Sequence, residues 1–131
     1  MIKVIRGGSG APSARAGSTF TGEVWRDAVM PQSDGVSVGK NFFSPCARTY
    51  WHHHPGGQLL IVLAGEGFVA DADGAHQVTA GDTIWTPPGV RHWHGATATR
   101  YLLHTAITVG GVEWQEPVSD NEFDAAHATR A

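Results

Sequence analysis

The chain has 131 residues, enough for one domain around a single hydrophobic core. Its 9 Lys and Arg against 12 Asp and Glu give a formal net charge of -3, and the basic residues are scattered along the chain. This distribution excludes the concentrated positive stripe that nucleic acid binding requires, so we expect no nucleic acid partner.

The sequence also lacks the features of a membrane or exported protein. No apolar run approaches the ~18 residues of a transmembrane helix, and the opening "MIKVIRGGSG" is too short for a signal-peptide core. The single cysteine, Cys46, cannot form an internal disulfide. We therefore expect a cytoplasmic protein without membrane association, in which Cys46 is a small buried side chain.

Turn residues divide the chain into short segments. It contains 17 glycines and 7 prolines, and turn signals recur about every eight to twelve residues, which is typical of an all-β domain. Segments rich in β-branched and aromatic residues predict nine strands. These cover residues 20–30, 36–43, 48–54, 58–63, 67–70, 76–79, 83–86, 91–94 and 101–109.

Nine short strands joined by tight turns predict a sandwich or a barrel, and a barrel removes exposed sheet edges by closing the sheet. Gly65-Glu66-Gly67 is expected to make a hairpin turn between two of these strands. A capping box at Ser119 and Glu122 predicts one short helix over residues 120–127.

The stretch "WHHHPGGQLLIVLA" carries three consecutive histidines. Because side chains alternate along a strand, His52 and His54 should face one side and His53 the other. After a Pro-Gly-Gly turn, Gln58 begins the next strand, and a hairpin would return it beside the pair.

A second pair, His92 and His94, follows a Pro-Pro-Gly turn with the same spacing of two residues. A barrel that brings both segments together would gather imidazoles and one amide oxygen around one point. Imidazole is the commonest protein ligand of first-row transition metals, so the group suits Mn, Fe, Co, Ni, Cu or Zn.

These residues also carry a family resemblance, to the cupin superfamily. Its first motif, G-x5-H-x-H-x3,4-E-x6-G, is similar to His52-x-His54-x3-Gln58-x6-Gly65, with Cys46 in place of the first glycine and Gln58 in place of the glutamate. The chain departs from the motif at those two positions only.

The second motif, G-x5-P-x-G-x2-H-x3-N, is similar to Gly81-x5-Pro87-x-Gly89-x2-His92, with Ala96 in place of the asparagine. The resemblance implies a double-stranded β-helix, or jelly-roll, barrel as one domain over residues 1–131, with its core at about residues 36–109. It also implies one divalent metal per chain, bound by the four residues His52, His54, Gln58 and His92.

The strings "ARTYWHHHPGGQLLIVLAGEG", "GDTIWTPPGVRHWHGAT" and "VEWQEPVSDNEF" resemble carboxymuconolactone-decarboxylase-like cupins, a group that includes manganese-dependent hydroxynitrile lyases. The resemblance implies a lyase that cleaves a small cyanohydrin, with Mn as the expected metal and Fe, Zn, Ni or Co as alternatives. It also implies a homodimer or homotetramer. A metal-dependent dioxygenase and a non-catalytic small-molecule-binding cupin stay open as alternatives.

Two further histidines are candidate catalytic residues. His104 shares its side of the last long strand with Leu102 and Ala106, so it should face the lumen among apolar neighbours, with a lowered pKa. We predict that it moves the substrate proton, and that His94 lines the pocket without binding the metal. A neutral Gln58 in place of a carboxylate favours Lewis-acid chemistry over redox chemistry.

Overall fold

The computed structural model describes residues 1–128, so residues 129–131 of the predicted domain lie outside the described part. The predicted all-β architecture with one C-terminal helix is confirmed. The helix, α1, spans Asp120–Ala128. The strands are β1 Ala14–Arg15, β2 Phe20–Thr21, β3 Val24–Ser33, β4 Val36–Phe43, β5 Arg48–Thr49, β6 His52–His53, β7 Gln58–Asp71, β8 Gly74–Thr79, β9 Thr83–Thr86, β10 Trp93–Ala96, β11 Leu102–Val109 and β12 Glu113–Trp114.

The strands form a curled antiparallel sheet in the jelly-roll manner. Its order is β1-β3-β4-β11-β7-β10-β5-β2, with β8 and β9 also paired to β7, and β12 pairs separately with β6. The first half of β7 lies between β11 and β9, and its second half lies between β8 and β10. The strand β7 therefore connects both parts of the curled sheet.

Strand alternation fills the inside of the curl. On β7, Leu60 and Val62 are buried, while Leu59 and Ile61 between them are only half-buried. Across neighbouring strands the register aligns one inward row, in which Arg26 on β3 faces Asn41 on β4, and Asn41 and Val62 both face His104 on β11. The row thus places the polar residues Arg26, Asn41 and His104 next to Val62 of the apolar core.

The predicted hairpin turn at Gly65-Glu66-Gly67 is wrong, because β7 continues through it. The two predicted strands 58–63 and 67–70 are one bent strand. A Cβ at Gly65 would collide with the backbone oxygen of Tyr101, and a Cβ at Gly67 with that of Gly95. The glycines thus allow two neighbouring strands to approach where β7 bends, a role that glycine also has in tight turns.

The predicted strand 48–54 is divided into β5 and β6, and β6 pairs with β12 rather than forming a hairpin with β7. A single bridge joins His52 to His92, and β10 begins one residue later. The histidine segment is therefore connected to the second histidine pair through its own backbone.

Helix α1 begins as predicted. The amide of Glu122 donates to Ser119 Oγ at 3.1 Å, and Glu122 Oε1 accepts from the amide of Ser119 at 3.0 Å, which is the reciprocal pattern of a capping box. Phe123 and Ala126 pack with Trp93 in an apolar cluster separate from that of Leu60 and Val62. Within residues 1–128, no helix is long and apolar enough to cross a membrane.

The outer face of the sheet exposes large apolar side chains. Trp25 is 38% exposed, Leu63 43% and Trp85 52%. Exposed apolar surface of this kind is common at protein–protein contacts. The homodimer or homotetramer stays a prediction.

The expected burial of Cys46 is wrong, because its side chain is exposed. Its φ of +72° lies in the left-handed region that glycine adopts without strain. The turn therefore keeps the backbone conformation that a glycine at this motif position would favour, and the cysteine adopts it at an energetic cost.

The variant Cys46→Gly should be more stable than the wild type. Relief of the left-handed strain is worth roughly 1–2 kcal/mol, and the greater freedom of glycine in the unfolded chain offsets part of it, so we expect a net gain of about 1 kcal/mol. Urea denaturation at unchanged m-value measures this gain. Cys46→Ala is the control: it removes the thiol but keeps the strain, and an equal gain there would contradict the explanation.

Candidate metal centre

Three buried histidines converge inside the curled sheet. Ring nitrogens of His52, His54 and His92 all lie within 4.8 Å of one another, and these residues are 1%, 4% and 1% exposed, respectively. The main chains of His52 and His92 exchange two N–H···O bonds of 2.9 Å. Two segments distant in the sequence are thereby held at a fixed separation, as the barrel prediction requires.

Each of the three rings is oriented by a backbone carbonyl. Nδ1 of His52 lies 2.8 Å from the Tyr50 oxygen. Nδ1 of His54 lies 3.0 Å from the Gly111 oxygen, and Nδ1 of His92 lies 3.0 Å from the Val90 oxygen. A carbonyl oxygen only accepts, so each Nδ1 carries the proton and donates it. The lone pair of each neutral ring therefore lies on Nε2, as in histidines that bind metals.

Gln58 adds an amide oxygen to this group. Its Oε1 lies 3.3 Å from Nε2 of His92, while its Nε2 donates to Thr108 Oγ1 at 3.0 Å. The Thr108 hydroxyl thus holds the amide with its oxygen toward the histidines. Gln58 is 4% exposed. Its role as a fourth ligand stays a prediction, which this orientation supports.

The donor atoms fit a divalent metal ion. Nε2 of His54 is buried without a hydrogen-bond partner among residues 1–128. The facing His92 Nε2 and Gln58 Oε1 both present lone pairs, an arrangement that a cation between them would stabilise. Imidazole with a neutral oxygen donor suits a first-row transition metal, so the three histidines are positioned to bind one.

Burial keeps these histidines neutral. It lowers the pKa of His52 to about 2, with a further contribution from the neighbouring charge of His92, and it lowers the pKa of His92 itself to about 4. The pKa of His54 is lowered for the same reason. Neutral imidazoles are the metal-binding form, so protons compete weakly with a metal at neutral pH.

His94 and His104 form a second histidine pair beside the centre. His104 Nε2 and His94 Nδ1 lie 2.9 Å apart, and both side chains are buried. Burial holds the pKa of His94 well below its usual range and lowers that of His104 to about 4. The lowered pKa expected of His104 is thus present.

Only one member of this pair reaches the open cavity. A cavity of about 630 Å³ occupies the lumen, and its wall includes His52, His54, Gln58 and His94. His104 is not part of that wall and lies behind His94. His94 Nε2 is buried without a partner among residues 1–128, so in the tautomer whose Nδ1–H donates to His104 Nε2 it can accept a proton from a bound molecule. The catalytic roles of both residues stay predictions.

His53 faces away from the centre, as the alternation of the strand predicts. Its Nε2 lies 3.2 Å from Glu113 Oε2, and the imidazole is 25% exposed. Three residues that the sequence did not indicate also line the cavity: Thr108, Arg26 and Trp114. Thr108 shares the inward parity of His104 and Ala106 on β11, which is the signal that would have found it.

Metal content should separate the roles of adjacent histidines. We expect His52→Ala to lose bound metal, because it removes one of the converging Nε2 atoms, and His53→Ala to keep it. Elemental analysis of protein purified without added metal measures both. Equal metal loss in the two variants would contradict the assignment.

The metal-free protein should lose stability as the pH falls. The unfolded chain takes up protons near the ordinary histidine pKa of 6.5, whereas the folded His92 and His104 take them up only near pH 4. The contribution of these neutral histidines to the free energy of unfolding is therefore fully present above about pH 6.5. It is lost toward pH 4, by about 1.4 kcal/mol per pH unit for each such histidine.

Urea denaturation of metal-free protein between pH 7 and 4.5 measures this slope. His104→Gln removes one titrating group, so its slope should be smaller than that of the wild type. A stability that does not change between pH 7 and 5 would show that these histidines are not held neutral by the fold.

Comparisons with known proteins agree with the fold. The family model described as "Cupin domain" matches residues 43–108. The chain is 39% identical to an "(R)-mandelonitrile lyase" of Granulicella tundricola, over 93% of this chain and 98% of the relative. It matches the crystal structure of a cupin-like protein from Thermotoga maritima with a TM-score of 0.84 and 35% identity, over 90% of this chain and 96% of that one.

A predicted oxalate decarboxylase of Thermotoga maritima has the same fold, with a TM-score of 0.72 and 21% identity over 83% of this chain and all of that one. The family match covers both histidine motifs, and the similarity to the mandelonitrile lyase extends over most of the chain. The predicted resemblance is therefore confirmed, and the chain belongs to the cupin family.

Proposed function

We propose that this protein is a metal-dependent lyase that cleaves a small cyanohydrin, such as (R)-mandelonitrile, into an aldehyde and hydrogen cyanide. The observation that carries this proposal is a neutral donor set, three imidazoles and one amide, beside the free Nε2 of His94. Support also comes from the 39% identical relative named for this activity.

The charge of the donor set favours this chemistry. Within residues 1–128, no carboxylate belongs to the group of His52, His54 and His92, and Gln58 is neutral. A divalent ion bound there, Mn in our proposal and Fe, Zn, Ni or Co as alternatives, would supply a Lewis acid for a substrate hydroxyl oxygen. The ligands leave its charge uncompensated, which favours an oxygen that becomes more negative.

The two remaining histidines can move the proton of that hydroxyl. His94 Nε2 accepts it, and His94 Nδ1 passes its own proton to His104 Nε2 across the 2.9 Å contact. The oxygen lone pair forms the carbonyl as the carbon–carbon bond breaks, and the electron pair of that bond leaves with cyanide. Return of the proton to cyanide completes hydrogen cyanide and restores the pair.

The cavity provides an apolar surface for the rest of the substrate. The ring centroids of Trp114 and His52 lie 4.7 Å apart, and those of Phe20 and Trp114 lie 5.5 Å apart. Both aromatic residues line the cavity, together with aliphatic side chains such as Val38 and Ala106. An aryl group next to the reacting carbon would pack against this wall and exclude water.

Cyanide release from mandelonitrile by Mn-loaded protein under anaerobic conditions tests the proposal. His94→Gln should keep its metal and lower kcat by about 100-fold or more, because it removes the proton acceptor at the cavity. His104→Gln should have a smaller effect, because His94 still faces the substrate. His53→Ala is the control and should keep full activity.

The rival functions predict different results. Oxygen consumption by Fe-loaded protein without cyanide release would favour the dioxygenase. Binding of aromatic alcohols without either reaction would favour a non-catalytic binding protein. A His94→Gln variant that keeps its metal and full lyase activity would remove His94 from the mechanism.

A further inference from the structure

Within residues 1–128 the cavity wall has three charged residues, Arg15, Arg26 and Asp27, and the chemistry above uses none of them. The guanidinium of Arg15 lies over the exposed ring of Trp25. Arg26 lies on β3 in the row with Asn41 and His104, and it lines the cavity at a position exposed to solvent. Its Nε donates to Oδ1 of Asn41 at 3.0 Å, and Asn41 is 6% exposed. A buried amide therefore orients the guanidinium, and its terminal nitrogens make no hydrogen bond within residues 1–128.

No carboxylate neutralises this guanidinium within residues 1–128. The arginines that form ion pairs are Arg48, Arg91 and Arg100, and each pairs outside the lumen. Asp27 is the one acidic residue among those lining the cavity. It is the next residue along β3, so its side chain faces the opposite side of the strand, where Asp27 Oδ1 accepts a hydrogen bond from Ser13 Oγ.

An aromatic wall leads from Arg26 to the candidate metal centre. Cζ of Arg26 lies 5.6 Å from the ring centroid of Phe20, and the contacts of Phe20 with Trp114 and of Trp114 with His52 continue the series. A ligand in contact with this wall would have one end at the histidines and the other at the cation.

We propose that Arg26 binds an anionic group of the substrate, so that the substrate class is hydroxy compounds with an aromatic middle and a carboxylate at the far end. This inference rests on the proposed function for the hydroxyl end only. A guanidinium binds a carboxylate through two parallel N–H···O bonds, with an orientation that lysine does not provide.

The Asn41 contact strengthens this interaction. A guanidinium already held in place loses less conformational entropy when the ligand binds, so more of the binding energy remains as affinity. Arg26 is an exposed residue, and this contact restricts the movement of its long side chain.

A pair of matched ligands tests the inference by binding alone. Isothermal titration of the metal-loaded protein with 4-(hydroxymethyl)benzoate and with the uncharged 4-(hydroxymethyl)benzamide compares the same ring and hydroxyl with and without the charge. We expect the carboxylate to bind about tenfold more tightly, the effect of one charge-assisted hydrogen-bonded contact.

Arg26→Gln should remove this preference and leave the affinity for the amide unchanged. Arg26→Lys should keep part of it, which separates the charge from any change in folding. Arg100→Gln, which removes the same charge at a pair outside the cavity, is the matched control and should keep the full preference. Far-UV circular dichroism and metal content verify that each variant is folded.

Two results would overturn the inference: equal binding of the two ligands by the wild type, or a carboxylate preference that survives in Arg26→Gln. The second result would assign the preference to the metal instead. A preference that depends on Arg26 without cyanide release would support the anion site and contradict the lyase.

Discussion

The hydrogen bonds from three imidazole Nδ1 atoms to backbone carbonyls are the constraint on which the site depends. They determine at once the tautomer of each ring, its orientation and the atom left to bind a metal. Carbonyl oxygens belong to the main chain, so these contacts persist only while the surrounding strands and loops keep their positions. The chemistry of the centre is therefore a direct product of the fold.

The fold in turn depends on bringing distant segments together. The His52–His92 backbone bridge joins the two motif halves, and the carbonyl that orients His54 comes from Gly111, far along the chain. The bend of β7 at Gly65 lets one strand take part in both regions of the sheet. Burial follows from this arrangement, and it keeps the imidazoles neutral and able to bind metal.

Sequence patterns predicted much of this arrangement because strand alternation is a local property. The opposite directions of His52 and His53, the β4 and β9 boundaries and the capping box at Ser119 all follow from neighbouring residues. The family resemblance supplied the pairing of the two motifs, which local rules do not determine.

The features that were missed depend on contacts between distant backbones. Glycines at 65 and 67 read as a turn because the sequence does not reveal which strand approaches them. The position of His104 behind His94 depends on the register of β11 with its neighbours, including a bulge next to His104 itself. Arg26 looks like one of many scattered cations until the register of β3 aligns it with Asn41.

In our proposal, the fold presents three Nε2 atoms and the Gln58 amide oxygen to one metal ion. Anomalous X-ray diffraction from crystals of Mn-loaded protein tests it most directly, because it locates the metal independently of the protein atoms. We expect one peak per chain, bound by Nε2 of His52, His54 and His92 and by Oε1 of Gln58. A peak at other side chains, a ring bound through Nδ1, or a Gln58 amide turned away from the metal would contradict this description of the site.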